Sequence, residues 1–305
     1  MLHLSIYSSL NTNKVRPDQL RAKDLMKQAV TLELDQTLYD VRNILLRYNI
    51  SRVVISKDNK PLGIITEKDI ARFLYREVPN RRLNEITSNE IMSKGLKTVE
   101  EQTSLSVCAK MMLESNISSI IVVDNVGDLK GIFTKSDLVG VHAGHYPRKL
   151  RVEQHMTKKV VTVAPDENLH MILLLMADNQ ISRVIVTRDQ TPVGIITGHD
   201  LLSVSILFGT GAAGIYWTTQ EELLTRRRAQ RFIPAGIKAI FLAKDIMKYD
   251  PIIITKDSDL IDAAQIMTNN RISGLPVVEN GSNNAGLVGV ITKTDIIKAI
   301  AASAY

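Results

Sequence analysis

One pattern is written four times along these 305 residues, and it constrains the fold more than any other feature of the sequence. Each copy opens on a methionine (Met26, Met92, Met156, Met247) and runs through an apolar helical stretch to an Ile-Ser pair. It then enters a β-branched run and closes on Gly-x-x-Thr-x-x-Asp. The closers are Gly63, Thr66 and Asp69; Gly131, Thr134 and Asp137; Gly194, Thr197 and Asp200; and Gly289, Thr292 and Asp295.

The internal spacing is fixed where a folded element would fix it. Leu38, Leu105, Leu169 and Leu260 each lie 12 residues before Ile50, Ile117, Ile181 and Ile272. Leu38, Val41, Ile44, Leu45 and Tyr48 fall on one helical face. The Ile-Ser pairs lead into short strand-type runs at 53–55, 120–123, 184–186 and 276–278. Length varies only in the polar turns that follow, at 57–60, 124–128, 188–191 and 279–286, where the surface tolerates insertion. A second amphipathic helix follows each closer, as at 68–74. Each repeat therefore reads strand, helix, strand, strand, helix, an α+β unit.

A single unit of roughly 60 residues buries little core, so pairing is expected. The methionines are 66, 64 and 91 residues apart, which places an insertion between the last two repeats. Repeats one and three share Ile-Ser-Arg (Arg52, Arg183), where two and four have Ser119 and Gly274. That alternation predicts two tandem modules, one with two and three with four. The expected organisation is an N-terminal extension (1–22), repeat one (23–75), linker and repeat two (76–145), linker and repeat three (146–207), a basic insertion (208–243) and repeat four (244–305).

The closer has two chemical readings. A glycine admits close approach to the backbone, and a helix starting just after Thr66 would offer N–H groups suited to phosphate. Asp69 could accept both hydroxyls of a ribose, as an acidic residue does in dinucleotide folds. The same roles carry to Thr134 and Asp137, Thr197 and Asp200, and Thr292 and Asp295. Equally, Thr-x-x-Asp before an apolar run is a capping-box helix start, and a structural cap would repeat just as faithfully. Arg52 and Arg183 stand where they could reach phosphates or serve as exposed strand-start charges. Lys68 and His199 precede their aspartates where Ser136 and Thr294 stand in the other repeats, so the cations are unequal among sites.

These closers, Ile-Ser entries and Met openers, in register four times over residues 23–302, resemble the cystathionine-beta-synthase-type (CBS) domain. The resemblance implies four β-α-β-β-α repeats in two pseudo-two-fold modules, similar to archaeal stand-alone CBS proteins and to the gamma subunit of AMP-activated protein kinase. It implies clefts that bind adenosine-containing ligands (AMP, ADP, ATP or S-adenosylmethionine), no catalysis, and a regulated protein partner. It also places Ile50, Ser51, Arg52, Ile181, Ser182 and Arg183 at nucleotide-contacting positions, with Thr31, Thr98 and Thr162 on the first strand. Repeat four has Ile253 there, which puts its site in doubt.

Composition bounds the rest. The single cysteine, Cys108, excludes an intrachain disulfide and reads as a core residue. Residues 1–20 lack a cationic start with an apolar core, so a cytoplasmic location is the default expectation. Residues 201–220 carry no charge, but only 11 of the 20 are apolar and three glycines interrupt them, against a membrane span. The net charge of +6 concentrates at Arg148, Lys149 and Arg151 and at Arg226, Arg227, Arg228 and Arg231. Nucleic-acid binding by that basic surface is the alternative function, against a merely solvated helix. Gly209, Gly211 and Gly214 match a dinucleotide fingerprint without its strand–turn–helix context. His142 and His145 have no further ligands nearby in sequence, so no metal is expected. A monomeric four-repeat disc and a homodimer both fit.

Overall fold

The 12-residue spacing resolves into a helix with two fixed ends. The computed structural model describes residues 19–76, 83–143, 150–202, 241–279 and 285–303. Repeat one comprises a one-turn opener helix α1 (Ala22–Leu25), β1 (Thr31–Leu32), α2 (Leu38–Tyr48), β2 (Arg52–Lys57), β3 (Lys60–Thr66) and α3 (Glu67–Arg76). Repeat two comprises α4 (Ser88–Ile91), β4 (Thr98–Glu100), α5 (Leu105–Glu114), β5 (Ser119–Val123), β6 (Leu129–Thr134) and α6 (Lys135–His142). Repeat three has α7 (Val152–His155), β7 (Thr162–Val163), α8 (Leu169–Asp178), β8 (Arg183–Arg188), β9 (Thr191–Thr197) and a helix entered at 198–202. Repeat four has α9 (Ala243–Ile246), β10 (Lys248–Tyr249), β11 (Ile254–Thr255), α10 (Leu260–Asn269), β12 (Gly274–Val278), β13 (Leu287–Thr292) and α11 (Lys293–Ser303). The order read from the sequence is present in all four repeats, each preceded by its opener helix.

The four leucines are the first residues of α2, α5, α8 and α10. Asn49, Asn116, Gln180 and Arg271 end those helices in the left-handed region, at φ of 50, 50, 53 and 55°. The next residue is the repeated isoleucine. Its N–H returns to the carbonyl five residues back: Ile50 to Leu45, Ile117 to Met112, Ile181 to Met176 and Ile272 to Met267, all 3.0 Å. This is a Schellman helix end, whose residue beyond the turn is characteristically apolar. In each repeat the first strand runs parallel to the second and the second antiparallel to the third, giving four small sheets.

The openers explain the pairing. Each folds onto the closing strand of the other repeat in its module. The residue after each methionine pairs with that strand: Lys27 with Ile132, Ser93 with Ile64, Thr157 with Val290, and β10 with β9 through Lys248 and Ile195. Leu83, Ile86 and Ile91 complete the core of repeat one, while Ala22 and Leu25 enter that of repeat two. Full burial of such a side chain is worth about 1.5–3 kcal/mol, so neither repeat keeps its core without its neighbour. Repeats three and four exchange openers likewise, through Phe241, Ala243 and Met247 in one direction and Val152 in the other.

The two modules then pack against each other. Repeats two and four share one continuous core, including Phe133, Leu138, Ile296 and Ile297. Repeat one meets repeat three through α3 and α8, with Arg42 Nε donating to the Leu202 carbonyl at 3.2 Å. Contacts thus close a ring in the order one, two, four, three. The expectations for Arg148, Lys149, Arg226, Arg227, Arg228, Arg231, the Gly209–Gly214 motif, His145 and the greater part of the uncharged stretch fall outside the described residues. Among the described residues no helix is long and apolar enough to cross a membrane.

Candidate functional site

All four closers make the same cap. The aspartate turns one carboxylate oxygen, Oδ2, back onto its threonine and accepts from both the backbone N–H and the hydroxyl. The N–H distances are 2.9 Å to Asp69, 2.8 Å to Asp137, 2.8 Å to Asp200 and 2.9 Å to Asp295. The hydroxyl distances are 2.6, 2.7, 2.6 and 2.6 Å in the same order. The capping-box reading therefore holds geometrically. It consumes one oxygen of each carboxylate and leaves Oδ1 outside the cap.

The helix N-terminus is less open than the sequence suggests. The carbonyl of the Ile-Ser serine accepts the first N–H of the closing helix in every repeat. Ser51 takes Glu67, Ser118 takes Lys135, Ser182 takes Gly198 and Ser273 takes Lys293, at 3.1, 3.0, 3.2 and 3.3 Å. These serines are thereby tied to the helix start through their backbone.

What faces Oδ1 differs from closer to closer, and in three of them the partner repeat supplies it, joined at Asp69 by Arg72 of the same helix. Asp69 Oδ1 accepts from Ser93 Oγ at 2.9 Å and from Arg72 Nη2 at 2.7 Å. Asp137 Oδ1 is held by Lys27 Nζ at 2.5 Å, and Asp200 Oδ1 by Lys248 Nζ at 3.2 Å. Asp295 Oδ1 has no side-chain partner among the described residues, and Thr157 takes the place held elsewhere by Ser93 or a lysine. From these positions the chain runs four residues from Lys27 to Thr31, and five from Ser93 to Thr98, from Thr157 to Thr162 and from Lys248 to Ile253. Thr31, Thr98, Thr162 and Ile253 are all exposed. The segment leading to Thr162 therefore starts beside the closing strand of Asp295, and that leading to Ile253 beside the closing strand of Asp200.

The arginines of the Ile-Ser-Arg pairs turn to the partner repeat. Arg52 Nη1 donates to the Ser118 carbonyl at 2.9 Å, and Arg183 Nη2 to Ser273 Oγ at 2.6 Å. A β-carbon on Gly274 would lie 3.1 Å from Arg183 Cζ, so the glycine makes room for that arginine. At Gly274 the alternation is thus a packing complement to Arg183. Burial lowers the basicity of both guanidinium groups, that of Arg183 to about 10.

The first two residues of the closing helices line the contact between modules. Lys68 Nζ donates to the Gln180 carbonyl at 2.8 Å. His199 Nδ1 meets Glu67 Oε1 at 2.9 Å, and that hydrogen bond raises the imidazole pKa. Gly198 leaves room for Glu67, whose Cβ would be 3.1 Å from an added β-carbon. Across repeats two and four, Lys135 Nζ donates to Thr294 Oγ1 at 3.0 Å and Lys293 Nζ to Ser136 Oγ at 2.7 Å. Both lysines are 7% exposed. Burial pushes each down to about 8. The sequence reading missed Glu67, Lys135 and Lys293, and also Lys27, Ser93 and Lys248. Their signal was positional: each stands directly after a repeated Thr or Met.

Four tandem units with exchanged openers and capped Thr-x-x-Asp closers define a class. The CBS domain family matches residues 22–76, 88–144, 152–206 and 243–302, and the chain belongs to that family. Among individual proteins it is similar to the uncharacterized protein MJ1225 of Methanocaldococcus jannaschii, 27% identical over 264 residues, or 83% of this chain and 87% of the relative. The crystal structure of MJ1225 superposes with a TM-score of 0.76 at 24% identity, covering 92% of this chain and 100% of the other. An uncharacterized conserved protein from Pyrococcus horikoshii gives 0.59 at 21% identity, over 92% and 100%. At these identities the structural likeness is one of fold.

Proposed function

We propose that this CBS-domain chain is a non-catalytic regulatory protein whose interrepeat clefts bind an adenine nucleotide: AMP, ADP or ATP. Occupancy would alter how the two modules pack or how a protein partner docks, by differential affinity for two arrangements. The observation that carries the reading is the divided role of each closing aspartate. One oxygen caps the helix and holds the carboxylate in place, and the other lies outside the cap, beside the opener of the partner repeat. A ribose presents two neighbouring hydroxyls to such an acceptor. We rank the cleft of Asp295, Thr157 and Thr162 first, because its outward oxygen is uncommitted. The cleft of Asp200, Lys248 and Ile253 ranks last. The nucleic-acid alternative gains no support from Arg151, the described member of the basic surface, which is paired with Asp257 at 3.0 Å.

The test is a thermal-shift titration against AMP, ADP, ATP, S-adenosylmethionine and adenosine, with an Asp295→Ala variant beside the unmodified chain. A ligand at about 100 times its Kd adds about 2.7 kcal/mol, enough to move a Tm by several degrees. A shift with an adenine nucleotide that Asp295→Ala reduces at least tenfold in affinity supports the reading. A response to S-adenosylmethionine alone reassigns the ligand. Absence of any adenosine response leaves the closers as helix caps.

A further inference from the structure

The helices that run from the repeated leucine to the repeated isoleucine carry equivalent residues at their fifth positions: Arg42 on α2, Ala109 on α5, Leu173 on α8 and Ala264 on α10. All four are buried, at 3, 9, 8 and 3% exposure. Three repeats fill the position with an apolar side chain. Repeat one fills it with a guanidinium.

Arg42 is incompletely satisfied there. Its Nε donates to the Leu202 carbonyl and its Nη1 to Asn43 Oδ1, each at 3.2 Å. Its Nη2 is shielded from solvent and has no hydrogen-bond partner. A guanidinium carries five N–H donors, and a buried donor left unmet costs stability. Ala109 and Leu173 show that the position takes apolar residues without that cost. Neither partner of Arg42 belongs to a Thr-x-x-Asp closer, so ligand recognition at a closer does not call for the charge.

The contact that Arg42 spans does call for it. The helices that carry these residues pack on closing helices of the opposite module, α5 on α11 and α10 on α6. Around Ala109 and Ala264 that packing is apolar and shares one core with Ile296, Ile297, Ala299 and Ile300. On the other side of the ring Leu202, from the closing helix of repeat three, joins the core of repeat one with Leu38, Val41 and Leu45. Arg42 takes the carbonyl of that same residue.

Because the four repeats share one architecture, two modules could also meet the other way round, repeat one against four and repeat two against three. In that exchanged arrangement α2 would lie on α11, and Arg42 would stand where Ala109 stands now. A space that holds a methyl group would receive a guanidinium, overpacked and cut off from water. A buried polar group of this kind discriminates between pairings by penalising the wrong one, at some cost to the right one.

We propose that Arg42 is a pairing key: it admits the module contact in which repeat one meets repeat three and excludes the exchanged one. It thereby sets the ring order one, two, four, three, and with it which closing helices face each other across the modules.

The full chain is labelled with spin probes at Lys110→Cys on α5 and Gln265→Cys on α10, both exposed positions in repeats that meet in this ring. Cys108→Ala removes the native thiol. Probe–probe distances are measured without denaturant for the chain with Arg42 and for its Arg42→Ala and Arg42→Leu variants, and urea unfolding is followed in parallel. With Arg42 a single distance is expected. Both variants should unfold at the same or a higher urea concentration, yet show a second, longer distance in more than about a tenth of the molecules. A single distance retained in both variants overturns the proposal, whatever their stability, and makes Arg42 an ordinary packing residue. Two distances in the chain that keeps Arg42 overturn it as well. Should Arg42→Ala fail to fold, Arg42→Leu, which fills more of the space, carries the comparison alone. No ligand enters the measurement, so its outcome is independent of the nucleotide reading.

Discussion

The thioether of Met247 occupies the place that a β-carbon on Gly194 would need: that carbon would lie 2.9 Å from Met247 Cγ and closer still to the sulfur. The relationship recurs between Met92 and Gly63 and between Met156 and Gly289, and at Gly131 Met26 comes as near through its Cβ and Cγ, always across a module. The repeated Met and the repeated Gly are thus two halves of one contact. Gly63→Ala is expected to cost about 1–3 kcal/mol by overpacking. Gly131→Ala should cost more, because its added carbon would also lie 2.8 Å from the rigid carbonyl of Lys27. Urea unfolding of Gly63→Ala, Met92→Ala and the double variant checks this. The double variant should be more stable than the sum of the two losses implies.

The four closing aspartates should be equal in stability and unequal in binding. Each Oδ2 makes the same cap, so Asp→Ala at 69, 137, 200 or 295 should cost about 0.5–2 kcal/mol in every case. Affinity for an adenine ligand should fall most in Asp295→Ala and least in Asp200→Ala. Lys248→Met, which frees Asp200 Oδ1, should raise affinity at that cleft. Calorimetric titration of the five variants separates the two effects. A binding loss that simply tracks the stability loss would refute the ranking.

The contact between repeats one and three carries a pH signature. The hydrogen bond to Glu67 raises the pKa of His199 above its ordinary value of 6.5. A folded pKa above the unfolded one gives stability that is fully present below about pH 6.5 and lost as pH rises through the folded value. The pair is partly exposed, which limits its worth to about 0.2–1 kcal/mol. Glu67→Gln should therefore destabilise the chain at pH 6 more than at pH 9. An equal cost at both would mean that the imidazolium contributes nothing.

Cys108 lies at 0% exposure on α5, and burial pushes its thiol up to about 11. Only the thiolate reacts readily, so disulfide reagents at pH 8 should modify it no faster than the chain opens. The rate should rise with urea in step with unfolding. Rapid labelling in native buffer would contradict its place in the core.

Much of the fold was legible because repetition exposed it: the 12-residue spacing gave the helix, and Ile-Ser marked the turn into the sheet. The modules were legible from Arg52 and Arg183 set against Ser119 and Gly274, and Gly274 leaves room for Arg183. What the sequence hid was the crossing of repeats. A linear alignment sets Thr162 beside Asp200 and Ile253 beside Asp295, while the exchanged openers join Thr162 to Asp295 and Ile253 to Asp200. Nothing local signals that exchange, because the opener helices are one turn long and draw their stability from the partner's core. Lys135 and Lys293 were hidden for the same reason. A lysine after a helix-capping threonine looks solvated until a second repeat covers it.

That covering has a consequence that can be measured without any ligand. Lys135 and Lys293 are pushed from 10.5 down to about 8 in the folded chain. Between pH 8 and 10.5 the unfolded chain therefore binds more protons at these residues, and their contribution to stability rises with pH across that window. Below pH 8 both carry charge in the interface and the full penalty applies. Replacing both by methionine keeps the apolar stems and removes the charges. In chloride buffer at pH 7 the Lys135→Met, Lys293→Met double variant should be more stable by on the order of 1–4 kcal/mol. The gain should shrink as pH rises past 8. Denaturant curves at pH 7 and pH 9.5 read both effects. Equal stability of the two chains at pH 7 would show that the buried ammonium groups are already compensated.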